Sequence, residues 1–344
     1  MNINKMTDNK IIGVPTNIIT GFLGVGKTSA ILHLLKHKPE NERWAILVNE
    51  FGEIGVDGSL FSGDSSDAQV FVREVPGGCM CCASGLPMQI ALNQLLSHAK
   101  PDRLLIEPTG LGHPVEVLEL LTNNYYQEVL DLQKTVTLID ARKLNDDKYR
   151  QHETFVQQLA VADVIVANKT DLYEGNEQQL LEQFLALRHI AENALHATSH
   201  GQLSLAWLEG NAGFNAEKAE LAKHAHLHLD HEHDEQTRPL ASEQALPETG
   251  YLKAVNQGEG FKSVGWRFSP DKVFDRHALL TLLLSINAER LKAVFITADG
   301  IFGYNATDDG LQEYALDECL ESRIEIIATE VHDNWEQQLL NTLA

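Results

Sequence analysis

The chain has 344 residues, and 49 acidic against 27 basic side chains give it a formal net charge of −22 at pH 7. This charge argues against a nucleic-acid backbone or an anionic membrane surface as a partner. No apolar run is long enough to span a bilayer, and the first ten residues contain no apolar signal-peptide core. We therefore expect a cytoplasmic protein that binds neither nucleic acid nor membrane.

The first part of the chain alternates short β-branched runs with amphipathic segments, a pattern typical of a parallel sheet covered by helices on both faces. The predicted strands span residues 16–20, 44–48, 70–73, 103–106, 135–139, 164–167 and 194–197. The predicted helices span residues 28–37, 85–98, 155–160 and 177–189. The sequence therefore predicts an α/β domain with a mostly parallel sheet over residues 1–213.

The composition changes after residue 213. Residues 214–250 are rich in histidine and acidic side chains and poor in large apolar ones, which predicts a mobile linker. The remaining residues, 251–344, form a smaller predicted α+β domain. Its predicted strands span 263–268, 293–297, 301–305 and 323–328, and its predicted helices span 276–285 and 333–343.

A phosphate-binding loop follows the first predicted strand. Residues 21–28 read GFLGVGKT, which fits the pattern G-x-x-x-x-G-K-[ST] between a strand and a helix. Glycines let backbone N–H groups turn toward phosphate oxygens, and the helix N-terminus favours an anion. Lys27 is predicted to reach the β- and γ-phosphates, and the Thr28 hydroxyl to bind Mg²⁺. The predicted nucleotide contacts of this loop are Gly21, Gly24, Val25, Gly26, Lys27, Thr28 and Ser29.

Two further segments extend this site. Glu107 ends an apolar strand, where an acid can hold the magnesium shell or orient the attacking water. The segment Asn168–Asp171 reads NKTD after another strand, and the Asp171 carboxylate can accept two hydrogen bonds from guanine. Adenine lacks that pair of donors, so this segment favours GTP over ATP. Asn168 and Lys169 are predicted to brace the loop and support the base.

Three of the four cysteines form a cluster. Cys79, Cys81 and Cys82 lie in the segment GGCMCC, whereas Cys319 is far away, so a disulfide framework is not expected. Three thiolates suit Zn²⁺ or Cu(I), with a Glu, a His, a water or a partner chain completing the shell. The alternatives are a thiol redox switch or three small buried residues.

Histidines supply a second set of candidate ligands. His113 either reaches the metal or caps the loop before Pro114, and we favour the second role. The predicted linker could bind Zn²⁺, Ni²⁺ or Co²⁺ weakly, or could be merely a soluble acidic segment. Its five histidines are His224, His226, His228, His231 and His233.

The motifs GFLGVGKT, VNEFGEIGVDG, GGCMCC, IEPTG and NKTD occur in the order seen in the CobW family of P-loop GTPases, which this chain resembles. The strings GGCMCCASGLPMQ and LLIEPTGLGHP look most like its YeiR-type zinc-binding GTPases. The resemblance implies a P-loop NTPase fold, GTP and Mg²⁺ as ligands, and Cys79, Cys81 and Cys82 as metal ligands. It places Glu53 in the first switch region, either as an oxygen ligand of zinc or as a solvated carboxylate.

These inferences favour a GTP hydrolase that couples GTP binding and hydrolysis to the binding and delivery of a divalent metal, with zinc preferred. The alternatives are a non-enzymatic zinc buffer, or a cobalt or nickel insertase for one client enzyme. The sequence offers no identifiable arginine finger, so we expect slow hydrolysis. Acceleration is expected from metal, from self-association as a homo-oligomer, or from a client metalloprotein.

Overall fold

The computed structural model describes residues 11–49, 70–75, 86–188, 195–224, 244–258 and 260–344. Within these ranges, the helices are all too short or too polar to cross a membrane.

The first sheet contains eight strands, and every pairing in it is parallel. Their order is β3-β2-β4-β1-β6-β7-β8, and β5 pairs with β1 at one end of that strand. The bounds are β1 Val14–Gly21, β2 Trp44–Asn49, β3 Val70–Val75, β4 Arg103–Glu107, β5 Leu130–Leu132, β6 Val136–Ile139, β7 Val164–Ala167 and β8 Leu195–Ala197. The predicted mostly parallel sheet is therefore confirmed.

Helices cover both faces of this sheet. Ile18 and Ile19 are neighbours in β1 and point to opposite faces, because side chains alternate along a strand. Ile18 packs in the cluster that contains Leu92 and Leu118, and Ile19 packs in the cluster that contains Leu34. The helices are α1 Lys27–Lys36, α2 Leu86–Ala99, α3 Pro114–Leu121, α4 Asp147–Gln151, α5 Glu153–Ala160, α6 Glu177–Leu187 and α7 Ala216–His224.

Helix α7 corrects the prediction that a linker begins at residue 214. Ala219 and Ala222 are buried in the same cluster as Ile18, with Phe214 packed against them. The helix therefore belongs to the packed body of the first sheet. Its described buried side chains, Ala219 and Ala222, are small and give too weak an apolar periodicity to predict a helix.

The second sheet contains six antiparallel strands in the order β13-β12-β11-β14-β10-β9. Helices α8 and α9 pack on its apolar face, around Trp266, Phe295 and Ile326. This arrangement confirms the predicted smaller α+β domain. The bounds are β9 Tyr251–Gly258, β10 Phe261–Phe268, α8 Arg276–Ser285, β11 Arg290–Thr297, β12 Gly300–Thr307, β13 Gly310–Leu316, β14 Ser322–Ala328 and α9 Asn334–Leu340.

The opposite face of the second sheet lies against the first domain. Ile327 of β14 belongs to the same apolar cluster as Phe22 of the phosphate loop, and Phe261 packs against that cluster. The rings of Phe22 and Phe261 lie 6.4 Å apart in an edge-to-face arrangement. The two sheets therefore meet at the edge where β1 ends and the phosphate loop begins.

Candidate nucleotide site

The phosphate loop joins β1 to α1, and its three glycines adopt conformations that other residues rarely take. Gly21 has φ 140°, Gly24 has φ 71° and Gly26 has φ 99°. A Cβ at Gly21 would lie 2.4 Å from the carbonyl oxygen of Leu138, and one at Gly26 would lie 2.6 Å from Nδ2 of Asn168. Gly26 is also the N-cap residue of α1. It has no side chain that could accept from the first N–H groups of the helix, so those groups are available to an anion.

Lys27 is buried in the first turn of α1. Its Nζ donates to the carbonyl oxygens of Gly21 at 2.9 Å and Phe22 at 3.1 Å. These bonds hold the ammonium across the mouth of the loop. A phosphate cradled there would meet a fixed positive charge in a site largely shielded from water.

Thr28, in the first turn of α1, meets Glu107, the last residue of β4. The Thr28 hydroxyl donates to Oε1 of Glu107 at 3.1 Å, and both side chains are buried. Hydroxyl and carboxylate oxygens are ligands that Mg²⁺ accepts, so this pair fits the ion that accompanies nucleoside triphosphates. The structure thus brings together the two residues for which the sequence predicted roles around magnesium.

The NKTD segment lies beside the phosphate loop. Asn168 is 2% exposed, and its Nδ2 donates to the carbonyl oxygen of Val25 at 2.8 Å. Its Oδ1 accepts from the backbone N–H of Gly201 at 3.1 Å. Asn168 therefore connects the phosphate loop to the segment that follows β8.

Two further residues of this motif, Lys169 and Asp171, face more open surroundings. The Asp171 carboxylate retains about a third of its exposure and lies 3.6 Å from Nε2 of the exposed His200. It is therefore accessible to a base. Lys169 adopts a left-handed conformation with φ 59°, and its ammonium pairs with Asp309 and lies 3.7 Å from Asp140.

Asp309 comes from the turn between β12 and β13, so the second domain reaches the nucleotide site here. Burial alone would raise the pKa of Asp309, but hydrogen bonds from Arg142 and Lys169 lower that pKa to about 2. The neighbouring Asp308 pairs with Lys143. Asp309 is therefore a charged partner of Arg142 and Lys169 at neutral pH.

Two cations of the second domain also line the phosphate pocket. Arg290 and Lys292 face the same pocket as Lys27 and Thr28, and Nζ of Lys292 donates to the Thr28 hydroxyl at 3.0 Å. Neither residue was predicted from the sequence. They are separated from the loop by more than 260 positions, and no local motif marks them.

Residues 15–194 match the family model of the CobW/HypB/UreG nucleotide-binding domain, which is more than half of the chain. The chain belongs to this family. The resemblance inferred from the motifs is confirmed.

Curated relatives extend the similarity beyond this domain. The chain is 41% identical to the zinc chaperone YeiR of Escherichia coli strain K12, over 92% of this chain and 94% of that protein. It is 31% identical to the zinc chaperone CobW of Pseudomonas aeruginosa, over 64% of each chain. It is 28% identical to the zinc-regulated GTPase metalloprotein activator 1 of Schizosaccharomyces pombe, over 57% of this chain and 48% of that protein.

Most residues predicted to bind zinc lie outside the described residues. These are Cys79, Cys81, Cys82, Glu53, His226, His228, His231 and His233, and His224 is the last residue of α7. Within the ranges that the structure covers, no three His, Cys, Asp or Glu side chains are grouped so that they could hold a metal. Their role as metal ligands stays a prediction.

His113 can be placed. It is the N-cap residue of α3, but its ring does not cap the helix. The ring is buried and lies 3.2 Å, at Nδ1, from Oε1 of Gln157 in α5. The side chain therefore connects α3 to α5, and its role as a loop cap stays a prediction.

Asn168 offers a test of how the site is held together. Asn168→Ala leaves the Val25 carbonyl and the Gly201 N–H without their buried amide partner. We expect it to lower the free energy of unfolding by about 2–4 kcal/mol, because each unsatisfied buried group costs about 1–3 kcal/mol. Urea unfolding followed by circular dichroism measures this loss. Asn215→Ala, which removes a single bond from the exposed Asn215 side chain to the N–H of Lys218, is the control, and an equal loss in both variants would contradict the prediction.

Proposed function

We propose that this protein hydrolyses GTP and couples GTP binding and hydrolysis to the binding and delivery of zinc. The observation that carries the proposal is the meeting of Lys27, Thr28 and Glu107 at one pocket beside the NKTD segment. A phosphate loop alone accepts many phosphorylated ligands. The addition of an oxygen pair for magnesium and a carboxylate for guanine favours GTP.

In the proposed reaction, a water molecule attacks the γ-phosphorus of GTP. The bond between the γ-phosphorus and the bridging oxygen of the β-phosphate breaks, and GDP leaves with that oxygen. Thr28 and Glu107 would hold Mg²⁺, and the ion would supply positive charge against the β- and γ-phosphates. Lys27 holds the γ-phosphate against the loop, and Glu107 is also positioned to orient water in the magnesium shell. Asn168 and Lys169 support the base, and Asp171 accepts from its N1–H and 2-amino groups.

The zinc ion is the cargo in this proposal. Cys79, Cys81 and Cys82 provide thiolates, which suit zinc, and Glu53 provides an oxygen ligand. His224, His226, His228, His231 and His233 would act as weak auxiliary ligands. The names of the relatives in E. coli and P. aeruginosa, both zinc chaperones, favour zinc over cobalt or nickel. A client metalloprotein would receive the ion.

Coupling between the two ligands gives the decisive test. Binding of GTP should tighten the zinc site, because ordering of the switch segment would bring Glu53 toward the cysteines. By linkage, zinc then shifts GTP affinity by the same factor, typically about 5- to 150-fold. Zinc titrations against a competing chelator, with a non-hydrolysable GTP analogue and with GDP, measure this factor.

Two cysteine variants sharpen the titration. Cys81→Ser should abolish the difference between the two nucleotide states and spare GTP binding. Cys319→Ser is the matched control, because that thiol lies half-buried in the second domain, away from the phosphate loop. Equal zinc affinities with the GTP analogue and with GDP would favour a zinc buffer over a delivery protein.

A further inference from the structure

We propose that Arg290 and Lys292 contact the phosphates of bound GTP, so that the second domain supplies cations that the GTPase site needs for hydrolysis. This inference rests on the proposed GTPase function and deepens it. It adds two residues to the site and makes hydrolysis depend on the contact between the two domains.

The register of the second sheet places these cations on one face. Lys292 of β11 lies opposite Glu325 of β14 and opposite Asn305 of β12, and Arg290 lies opposite Ile327. Paired residues in neighbouring strands share a face of the sheet. Ile327 packs in the apolar cluster of the first domain, so this face, with its two cations, is turned toward the phosphate loop.

The alternate residues of β11 lie on the other face. Leu291, Ala293 and Phe295 are buried in the core of the second domain beneath α8 and α9. Packing of the second domain's core therefore requires apolar side chains only at positions 291, 293 and 295. It does not account for the cations at positions 290 and 292. A strand packed between two bodies would normally carry apolar residues on both faces.

Both cations are deeply buried. Arg290 is 6% exposed and Lys292 is 3% exposed. Burying a charge is unfavourable unless other charges or hydrogen bonds compensate for the lost water. Glu325 lies opposite Lys292 in the neighbouring strand, and the Glu107 carboxylate lines the pocket beside Thr28. With Lys27, three cations surround a pocket lined by the phosphate loop, which is a charge distribution suited to a polyphosphate.

The bond between Lys292 and Thr28 gives the position of the ammonium. Its Nζ lies 3.0 Å from Oγ1 of Thr28, and that hydroxyl lies 3.1 Å from Oε1 of Glu107. Thr28 is also the proposed ligand of magnesium. When Mg²⁺ and GTP bind, Lys292 must exchange this hydroxyl for another acceptor, and the phosphate oxygens arrive next to it.

The chemistry of phosphoryl transfer gives these cations a function. Negative charge spreads over the γ-phosphate oxygens as the bond to GDP breaks, and fixed cations in a buried site stabilise that charge. An arginine supplied within the same chain has this role in other nucleotide hydrolases. Arg290 and Lys292 would do so here only when the second domain is docked on the first.

The test measures hydrolysis and binding separately. In Arg290→Gln and Lys292→Gln, single-turnover GTP hydrolysis should fall by roughly 100-fold or more. Affinity for a non-hydrolysable GTP analogue should fall by about 10-fold relative to GDP, because only GTP carries the γ-phosphate. Lys292→Arg keeps the charge and should recover part of the rate. Lys262→Gln, on an exposed position of β10 in the same sheet, is the matched control and should change neither quantity.

Thermal unfolding of each variant distinguishes a missing contact from a disrupted domain. The GTP-to-GDP affinity ratio of the folded variants then shows whether Arg290 and Lys292 contact the γ-phosphate. Unchanged hydrolysis and an unchanged ratio in both glutamine variants would overturn the inference and leave the proposed function intact. Tighter binding of GTP with Mg²⁺ in Lys292→Gln would also overturn it, because Lys292 would then compete with the metal. If the wild-type protein binds no GTP, the proposed function itself fails.

Discussion

Replacing Lys27 with alanine should lower the rate of GTP hydrolysis on the order of 1,000-fold, because the γ-phosphate loses a fixed, charge-assisted donor. The ammonium is buried and is held by the carbonyl oxygens of Gly21 and Phe22. Water cannot replace it with a charge in the same position. GTP affinity should fall as well, and steady-state phosphate release together with titration of a fluorescent GTP analogue measures both effects.

Lys38 provides the control for this prediction. It is also a buried lysine whose Nζ donates to two backbone carbonyls, those of Pro39 and Glu42. It follows the last turn of α1, away from the phosphate loop. Lys38→Ala should therefore leave hydrolysis nearly unchanged. Wild-type turnover in Lys27→Ala would remove the basis for assigning this loop to the γ-phosphate.

The sequence predicts best those features whose causes are local. Helix α8 was predicted over residues 276–285 and occurs there, because Asp275 caps it by accepting from the N–H of Ala278 and its buried leucines follow helical spacing. The parallel pairing of the first sheet follows from the alternation of strands and helices. The meeting of Thr28 and Glu107 follows in turn, since parallel strands end at one edge of a sheet.

The edge strands of the second sheet show where a local pattern fails. Strands β9 and β13 were not predicted, and each pairs on one side only. β13 alternates partly buried and exposed residues and has no fully buried position. An edge strand of this kind lacks the continuous apolar run that marks a central strand.

Contacts between the domains depend on docking, which no segment of the sequence encodes by itself. The ion pairs of Asp308 and Asp309 with cations around the NKTD segment join residues more than 130 positions apart. Read as sequence, these aspartates mark only a turn between two strands. The same holds for Lys292, because its ammonium reaches Thr28 only when the second sheet lies against the phosphate loop.

Replacing Asp171 with asparagine should lower affinity for GTP by roughly 100-fold or more. The carboxylate is expected to accept two hydrogen bonds from guanine, and each bond to a charged group contributes about 1.5–3 kcal/mol. The asparagine amide has one oxygen, which accepts, and one NH2 group, which only donates. It therefore cannot accept from both the N1–H and the 2-amino group of guanine. Asp102→Asn is the matched control, because Asp102 is an exposed aspartate directly before β4, at the opposite edge of the sheet from the site.

The same substitution should create a preference for xanthosine triphosphate. Xanthine has a carbonyl oxygen where guanine has the 2-amino group, so an asparagine amide can donate to that oxygen while its own oxygen accepts from N1–H. The wild-type carboxylate would repel the xanthine oxygen and leave one of its own acceptors unpaired. Competition of GTP, xanthosine triphosphate and ATP against a fluorescent GDP analogue, in wild type and Asp171→Asn, measures this exchange. If the variant retains the wild-type order of affinities, Asp171 does not read the base, and the carboxylate only contacts His200 at the rim of the site.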